Sequence, residues 1–196
     1  MALPHRVCTA MERAEAAGFT MSCDPRVGRL LGVLAAALPR DGRILELGTG
    51  TGVGLAWIVD GLGVRADVGV VSVELASDIA ALAAGDEWPA FVELKVGDAL
   101  EFIGQPERYD LIFADAQGGK WEGLEQTIDS LRPGGLLLVD DMEPTEYMHD
   151  EHRVKTVEVR ERLLASERIA HVELNWATGL ILCARRFDQT DDGRPT

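Results

Sequence analysis

Residues 45–55 read LELGTGTGVGL: an apolar run, four glycines spaced by Thr49, Thr51 and Val53, then the start of a helical stretch. No other feature limits the fold of this chain as much. A glycine cluster between a strand and a helix marks a tight β-to-α turn in which backbone must come close to something else. The rest of the sequence follows the same alternation. Strand patterns at 43–47, 68–74, 91–96, 109–114 and 136–140 are separated by helical ones, near 55–59, 77–84, from Asp98, and near 121–131. Two helical stretches come first, near 5–17 and from Asp24-Pro25 to Pro39. Arg153–Ser166 predicts a last helix, and strands near 168–174 and 179–186 close the chain around hairpin chemistry at Asn175–Gly179. Alternation of this kind predicts an α/β domain, with a mostly parallel sheet covered on both faces.

Length and composition bound the answer. At 196 residues, with 46% hydrophobic and 27% charged, the chain suits one globular domain spanning 1–187, with 1–40 as N-terminal helices. The tail 188–196 reads as disordered. No apolar run approaches a membrane span and no signal-peptide core is present. Cys8, Cys23 and Cys183 are odd in number and in no metal spacing, which points to a reduced, cytoplasmic setting. The net charge of −14 repels polyanions, and the paired arginines lie among acids, so a nucleic-acid partner is disfavoured.

The glycine turn has to be matched to a ligand. A nucleoside-triphosphate loop needs Lys after its last glycine, but Leu55 follows Gly54. A dinucleotide turn needs G-x-G-x-x-G, yet counting from Gly48 or Gly50 the third position is Val53 or Leu55. Glu46 beside a pyrophosphate would add Coulomb repulsion. Beside the sulfonium and ammonium of S-adenosylmethionine the same carboxylate is favourable. The acids fall in a matching order. Glu74 ends the second strand, where it can take both ribose hydroxyls; Gly97-Asp98-Ala99 ends the third, where adenine would lie; Asp115 ends the fourth and Asp140-Asp141 the fifth. The plain alternative for each is a helix cap.

From about Met21 to Arg186 the chain resembles class I S-adenosylmethionine-dependent O-methyltransferases, in particular the caffeoyl-CoA and catechol O-methyltransferase group. The pieces that carry the likeness are ILELGTGTG, VVSVE, VGDALEFI, YDLIFADA, LRPGGLLLVDD and GLILCAR. The resemblance implies a Rossmann-like, doubly wound, seven-stranded sheet with an antiparallel C-terminal hairpin and N-terminal capping helices. It also implies cofactor contacts from Met21, Ser22, Glu46, Gly48, Thr49, Gly50, Glu74, Leu75, Gly97, Asp98, Ala99 and Asp115. In that group a divalent cation (Mg²⁺, Mn²⁺ or Ca²⁺) lowers the acceptor hydroxyl's pKa, which assigns metal ligation to Asp115, Asp140 and Asp141 and catalysis to Lys120 and Asp115. Two departures stand out. Asp141 replaces the group's Asn, and the loop DAQGGKW is two residues longer than D-x-x-K, which draws Lys120 away from the usual base position. Homodimers are common in the group.

His149 and His152 follow the fifth strand, where an exposed loop is the plainer reading than a catalytic base. His5 and His171 have no nameable partner. Trp57, Trp121 and Trp176 read as packing residues, with Trp121 and Tyr147 also suited to an acceptor platform. A small-molecule acceptor leads. Methylation of nitrogen or RNA, a non-catalytic S-adenosylmethionine sensor and an NAD-dependent oxidoreductase remain as rivals.

Overall fold

The computed structural model describes residues 2–143 and 150–188. Tyr147, His149 and all of the tail except Asp188 lie outside them. The elements run α1 (His5–Ala16), α2 (Pro25–Ala36), β1 (Arg43–Leu47), α3 (Val53–Leu62), β2 (Gly69–Glu74), α4 (Ser77–Ala84) and β3 (Val92–Val96). They continue through α5 (Ala99–Ile103), β4 (Tyr109–Ala114), α6 (Leu124–Asp129), β5 (Leu131–Val139), α7 (Asp150–Ala165), β6 (Ile169–Leu174) and β7 (Leu180–Arg185).

Seven strands form one sheet in the order β3-β2-β1-β4-β5-β7-β6. Pairing is parallel from β3 to β5 and antiparallel at β5–β7 and β7–β6. This is the doubly wound, hairpin-ended sheet that the alternation and the resemblance predict. Strand order reverses between β1 and β4, and the crevice beyond their carboxyl ends is where such sheets take ligands.

Successive residues of the central strands feed opposite faces. Ile44, Leu111 and Phe113 pack into the core under α1, α2 and α3, while Leu45, Ile112 and Ala114 pack into the one under α5, α6 and α7. Near-continuous burial along β1 and β4 follows from coverage on both sides. The N-terminal helices dock through small residues. A Cβ at Gly28 would overlap the Trp57 indole, and one at Gly61 would overlap the Gly32 backbone, so α2 and α3 approach more closely than larger side chains allow. Asp24 caps α2, accepting from the Arg26 amide at 2.7 Å, with Pro25 at the first helical position.

Three expectations need correction. α6 begins at Leu124, not near Trp121, because Gly119 and Gly123 sit at φ +87° and +76° and keep 117–123 a loop. β5 starts at Leu131 and runs through Pro133–Gly135, with a register shift between Tyr109 and Leu111 absorbing the irregularity. Trp57 is packed against the core, but Trp176 sits at the hairpin tip and is 45% exposed. His5 and His171 are exposed. Among the described residues no helix is long and apolar enough to cross a membrane.

Candidate active site

The carboxyl ends of β1 to β5 open into one cavity of about 830 Å³. One of its walls is the glycine turn. The amides of Gly48 and Thr49 both donate to the Val73 carbonyl, at 2.9 and 3.0 Å, fastening the turn to β2. Gly48 has φ +101°, and a Cβ there would lie 2.8 Å from the Asp115 carbonyl oxygen, so only glycine lets the ends of β1 and β4 come this close. The Phe19 ring packs over Gly50, and the segment Phe19–Asp24, with Met21, Ser22 and Cys23, forms a lip of the cavity. Met21 is 77% exposed, and the Ser22 hydroxyl is shielded with no hydrogen-bond partner among the described residues.

Glu74 does more than face the cavity. One carboxylate oxygen accepts from the Gly50 amide at 2.9 Å and the other from the Ala76 amide at 3.0 Å. A carboxylate has about four acceptor sites, which leaves capacity for a diol. Leu75 lines the same wall and is largely exposed. Asp98 follows Gly97 and caps α5, accepting from the Leu100 amide at 2.9 Å, and Ala99 opens that helix. The helix-cap reading of Asp98 therefore holds, and its position in the cavity wall holds as well.

Glu46 is fully buried. The Ser72 hydroxyl donates to its Oε2 at 2.5 Å, and Thr49 joins Ser72 at 2.6 Å. Its Oε1 has no partner among the described residues. Gly54 makes room for that oxygen, since a Cβ there would overlap it. Burial, reinforced by the charge of Glu74 and opposed by the Ser72 bond, pushes the Glu46 carboxyl up to about 8.

The opposite wall gathers Asp115, Asp140 and Asp141, each with a carboxylate oxygen within 4.8 Å of the others. Asp140 accepts from the Asp141 amide at 2.7 Å and from the Thr178 hydroxyl, which arrives from the β6–β7 hairpin. Burial, then the charge of Asp140, holds Asp115 well above the usual carboxylate range. Burial, then Asp141, raises Asp140 to about 6. Three hard oxygen donors at this spacing suit one octahedral or larger divalent cation.

Lys120 reaches this cluster despite its longer loop. The Gln117 carbonyl accepts the amides of Lys120 and Trp121, at 3.2 and 2.8 Å, folding the two extra residues into a turn. The buried Lys120 Nζ then donates to the Asp140 carbonyl at 3.1 Å and stands 3.8 Å from Asp141. His152 also lines the cavity from the first turn of α7, edge-on to Trp121 with ring centroids 4.9 Å apart. Burial, then the Lys120 charge, lowers its pKa. The exposed-loop reading of His152 is thus replaced by a half-buried wall position. Sequence reasoning missed Cys23 and Thr178, both in the cavity wall. Cys23 adjoins the predicted Met21-Ser22 segment, whereas Thr178 is brought in only by the fold of the hairpin.

Comparison with known proteins identifies the family. The methyltransferase domain family matches residues 45–142, from β1 to just past Asp141. An inferred O-methyltransferase of Mycobacterium sp. (strain JLS) is 30% identical over 190 residues, covering 91% of this chain and 86% of the relative. The O-methyltransferase from Bacillus cereus, solved with S-adenosylhomocysteine, superposes with a TM-score of 0.81 at 21% identity, over 95% of this chain and 93% of that one. The Streptomyces achromogenes O-methyltransferase involved in tomaymycin synthesis, solved with S-adenosylmethionine, gives 0.78 at 22%, over 95% and 92%. The chain belongs to the class I S-adenosylmethionine-dependent O-methyltransferases.

Proposed function

We propose that this enzyme methylates a hydroxyl of a small catechol- or phenol-like molecule, with a divalent cation held by Asp115, Asp140 and Asp141. The observation that carries the reading is the meeting of those three carboxylates across the same cavity as the glycine turn. Cofactor and cation can then face one acceptor oxygen.

Each wall has its own task. Glu74 takes the ribose hydroxyls while keeping the glycine turn closed, Asp98 and Ala99 meet the adenine, and Glu46 offers its unpartnered oxygen to the cationic end of the cofactor. Gly48 and Gly50 give the ligand close access to backbone. A divalent cation supplies a lowered hydroxyl pKa when bound. In its neutral form Lys120, fixed beside Asp140 and Asp141, is placed to take the acceptor's proton, and Trp121 with His152 forms an aromatic wall for a planar ring. Displacement at the methyl carbon then depends on alignment of the two ligands, which a preformed cavity provides.

The test is turnover. Purified protein given S-adenosylmethionine, Mg²⁺ and catechol should form S-adenosylhomocysteine together with a methoxylated product heavier by one methylene. Cofactor binding without turnover on any hydroxylated aromatic would instead identify a binding module.

A further inference from the structure

We infer that Arg13, on the helix before the lip, is a positioning residue for the cofactor. Its guanidinium holds the outer half of the glycine turn and, through α1, sets the lip against that turn. The inference rests on the cofactor placement given above and is independent of the acceptor. Arg13 is outside the cavity wall and acts through the Thr51 carbonyl.

The two halves of the turn are held differently. The inner half is fastened to β2, with the Gly48 and Thr49 amides on the Val73 carbonyl and the Gly50 amide on Glu74. Thr51 and Gly52 lie beyond those bonds. No backbone amide reaches the Thr51 carbonyl among the described residues, and the buried Thr51 hydroxyl has no partner among them. Arg13 Nε donates to that carbonyl at 3.0 Å. Its Nη2 stands 3.4 Å from Asp86, and the two side chains are only 16% and 17% exposed, so solvent screens this pair less than a surface one.

The same face of α1 is anchored again about two turns earlier. Arg6 donates to the Glu87 carbonyl at 2.7 Å, stands 3.7 Å from Asp86 and lies over the Trp88 ring at 5.3 Å. Trp88 in turn backs the outer half: a Cβ on Gly52 would lie 3.0 Å from its ring. Its Nε1 is fixed by the Ala83 carbonyl at 2.9 Å. Both arginines therefore clamp α1 to the far side of the turn.

The lip inherits its position from that helix. The Phe19 amide donates to the Ala14 carbonyl at 2.9 Å, one residue along from Arg13, and the Phe19 ring meets Gly50. The lip then runs toward the opposite rim: burial, then the charges of Asp115 and Asp140, push the Cys23 thiol up. Turn and lip together enclose the end of the cavity given to the cofactor's amino acid. Asp98, on the side given to adenine, is fixed by its own helix cap instead. Loosening α1 should therefore be felt at one end of the cofactor.

The experiment compares S-adenosylhomocysteine with 5′-methylthioadenosine, which keeps the nucleoside and lacks the amino acid. Affinity is measured by calorimetry and dissociation by stopped flow. Arg13→Met keeps an apolar stem and removes both donors. It should weaken S-adenosylhomocysteine at least about tenfold, through faster dissociation, and 5′-methylthioadenosine by less than about threefold. Asp86→Asn leaves the Thr51 bond in place and removes one anchor, so S-adenosylhomocysteine should weaken by about threefold with 5′-methylthioadenosine unmoved. Should Arg13→Met fail to fold, Asp86→Asn decides by the same pattern. Unchanged affinity for S-adenosylhomocysteine, or equal losses for the two ligands, overturns the inference and leaves Arg13 as a helix clamp alone. A parent protein that binds neither ligand overturns the cofactor placement, and the inference with it.

Discussion

The two rims of the cavity hold similar side chains in opposite conditions. On the β1–β3 rim, two of the carboxylates are satisfied by backbone: Glu74 accepts two amides and Asp98 one. On the β4–β5 rim, Asp115, Asp140 and Asp141 crowd one another, and burial drives the first two toward the protonated state. Apart from Glu46, whose Oε1 has no partner among the described residues, the first rim is satisfied without a ligand. The second carries repulsion that a cation would relieve. On the proposed reading, the difference teaches that cofactor recognition is built largely from main-chain geometry, whereas acceptor activation waits for charge from outside the chain.

The largest expected effect breaks the second rim alone. Removal of divalent cations, or Asp140→Ala, should lower turnover at least about a hundredfold, with S-adenosylhomocysteine affinity nearly unchanged because the nucleoside meets the other rim. Chelator titration with metal content measured in parallel is the check. Full activity in metal-free protein would end the cation proposal and leave Lys120 as the group that handles the proton.

A smaller effect is expected at the first rim. Glu74→Ala should weaken S-adenosylhomocysteine at least about tenfold, since hydrogen bonds to a charged acceptor are lost. It should also cost about 1–3 kcal/mol of ligand-free stability, because the Gly50 and Ala76 amides lose their acceptor. Calorimetric titration and urea unfolding separate the two. Lost stability with intact affinity would reduce Glu74 to a fastener of the turn.

The same contrast explains what was legible in the sequence. The first rim is local: a glycine turn, a strand-end acid and a helix cap each occupy consecutive residues, so Gly48, Glu74 and Asp98 could be placed by reading along the chain. The mostly parallel sheet followed from the alternation, and its seven-stranded form with an antiparallel closing hairpin from the resemblance. The second rim is assembled from afar. Lys120 reaches Asp140 only because Gly118-Gly119 and the Gln117 carbonyl fold two extra residues into a turn, and nothing in D-x-x-K spacing announces that. Thr178 bonds Asp140 across 38 residues through a hairpin docking. His152 becomes a wall residue because α7 begins at Asp150, three residues before the position its pattern suggests.

The smallest effect concerns Asp141, where this chain departs from the Asp-Asn pair of the resembled group. Asp141 sits at φ +59°, a left-handed conformation that asparagine adopts readily. Asp141→Asn should therefore keep the backbone and remove one of the charges raising Asp115 and Asp140. The sign of the pH dependence follows from those two groups. Their folded pKa values lie above the unfolded ones, so their contribution to stability is full below pH about 4 and is lost as pH rises through the folded values, about 6 for Asp140. Metal-free protein should lose about 1–3 kcal/mol from this source as pH rises from about 4 to about 8. Mg²⁺ should restore more stability at pH about 8 than at pH about 5, because only the deprotonated carboxylates bind it. Asp141→Asn should flatten the metal-free fall by less than about 1 kcal/mol while retaining turnover. Thermal melts at the two pH values, with and without Mg²⁺, read all of this. A variant whose metal-free stability falls as steeply as the parent's would show that Asp141 does not feed the repulsion on the second rim, and that the strain there lies between Asp115 and Asp140 alone.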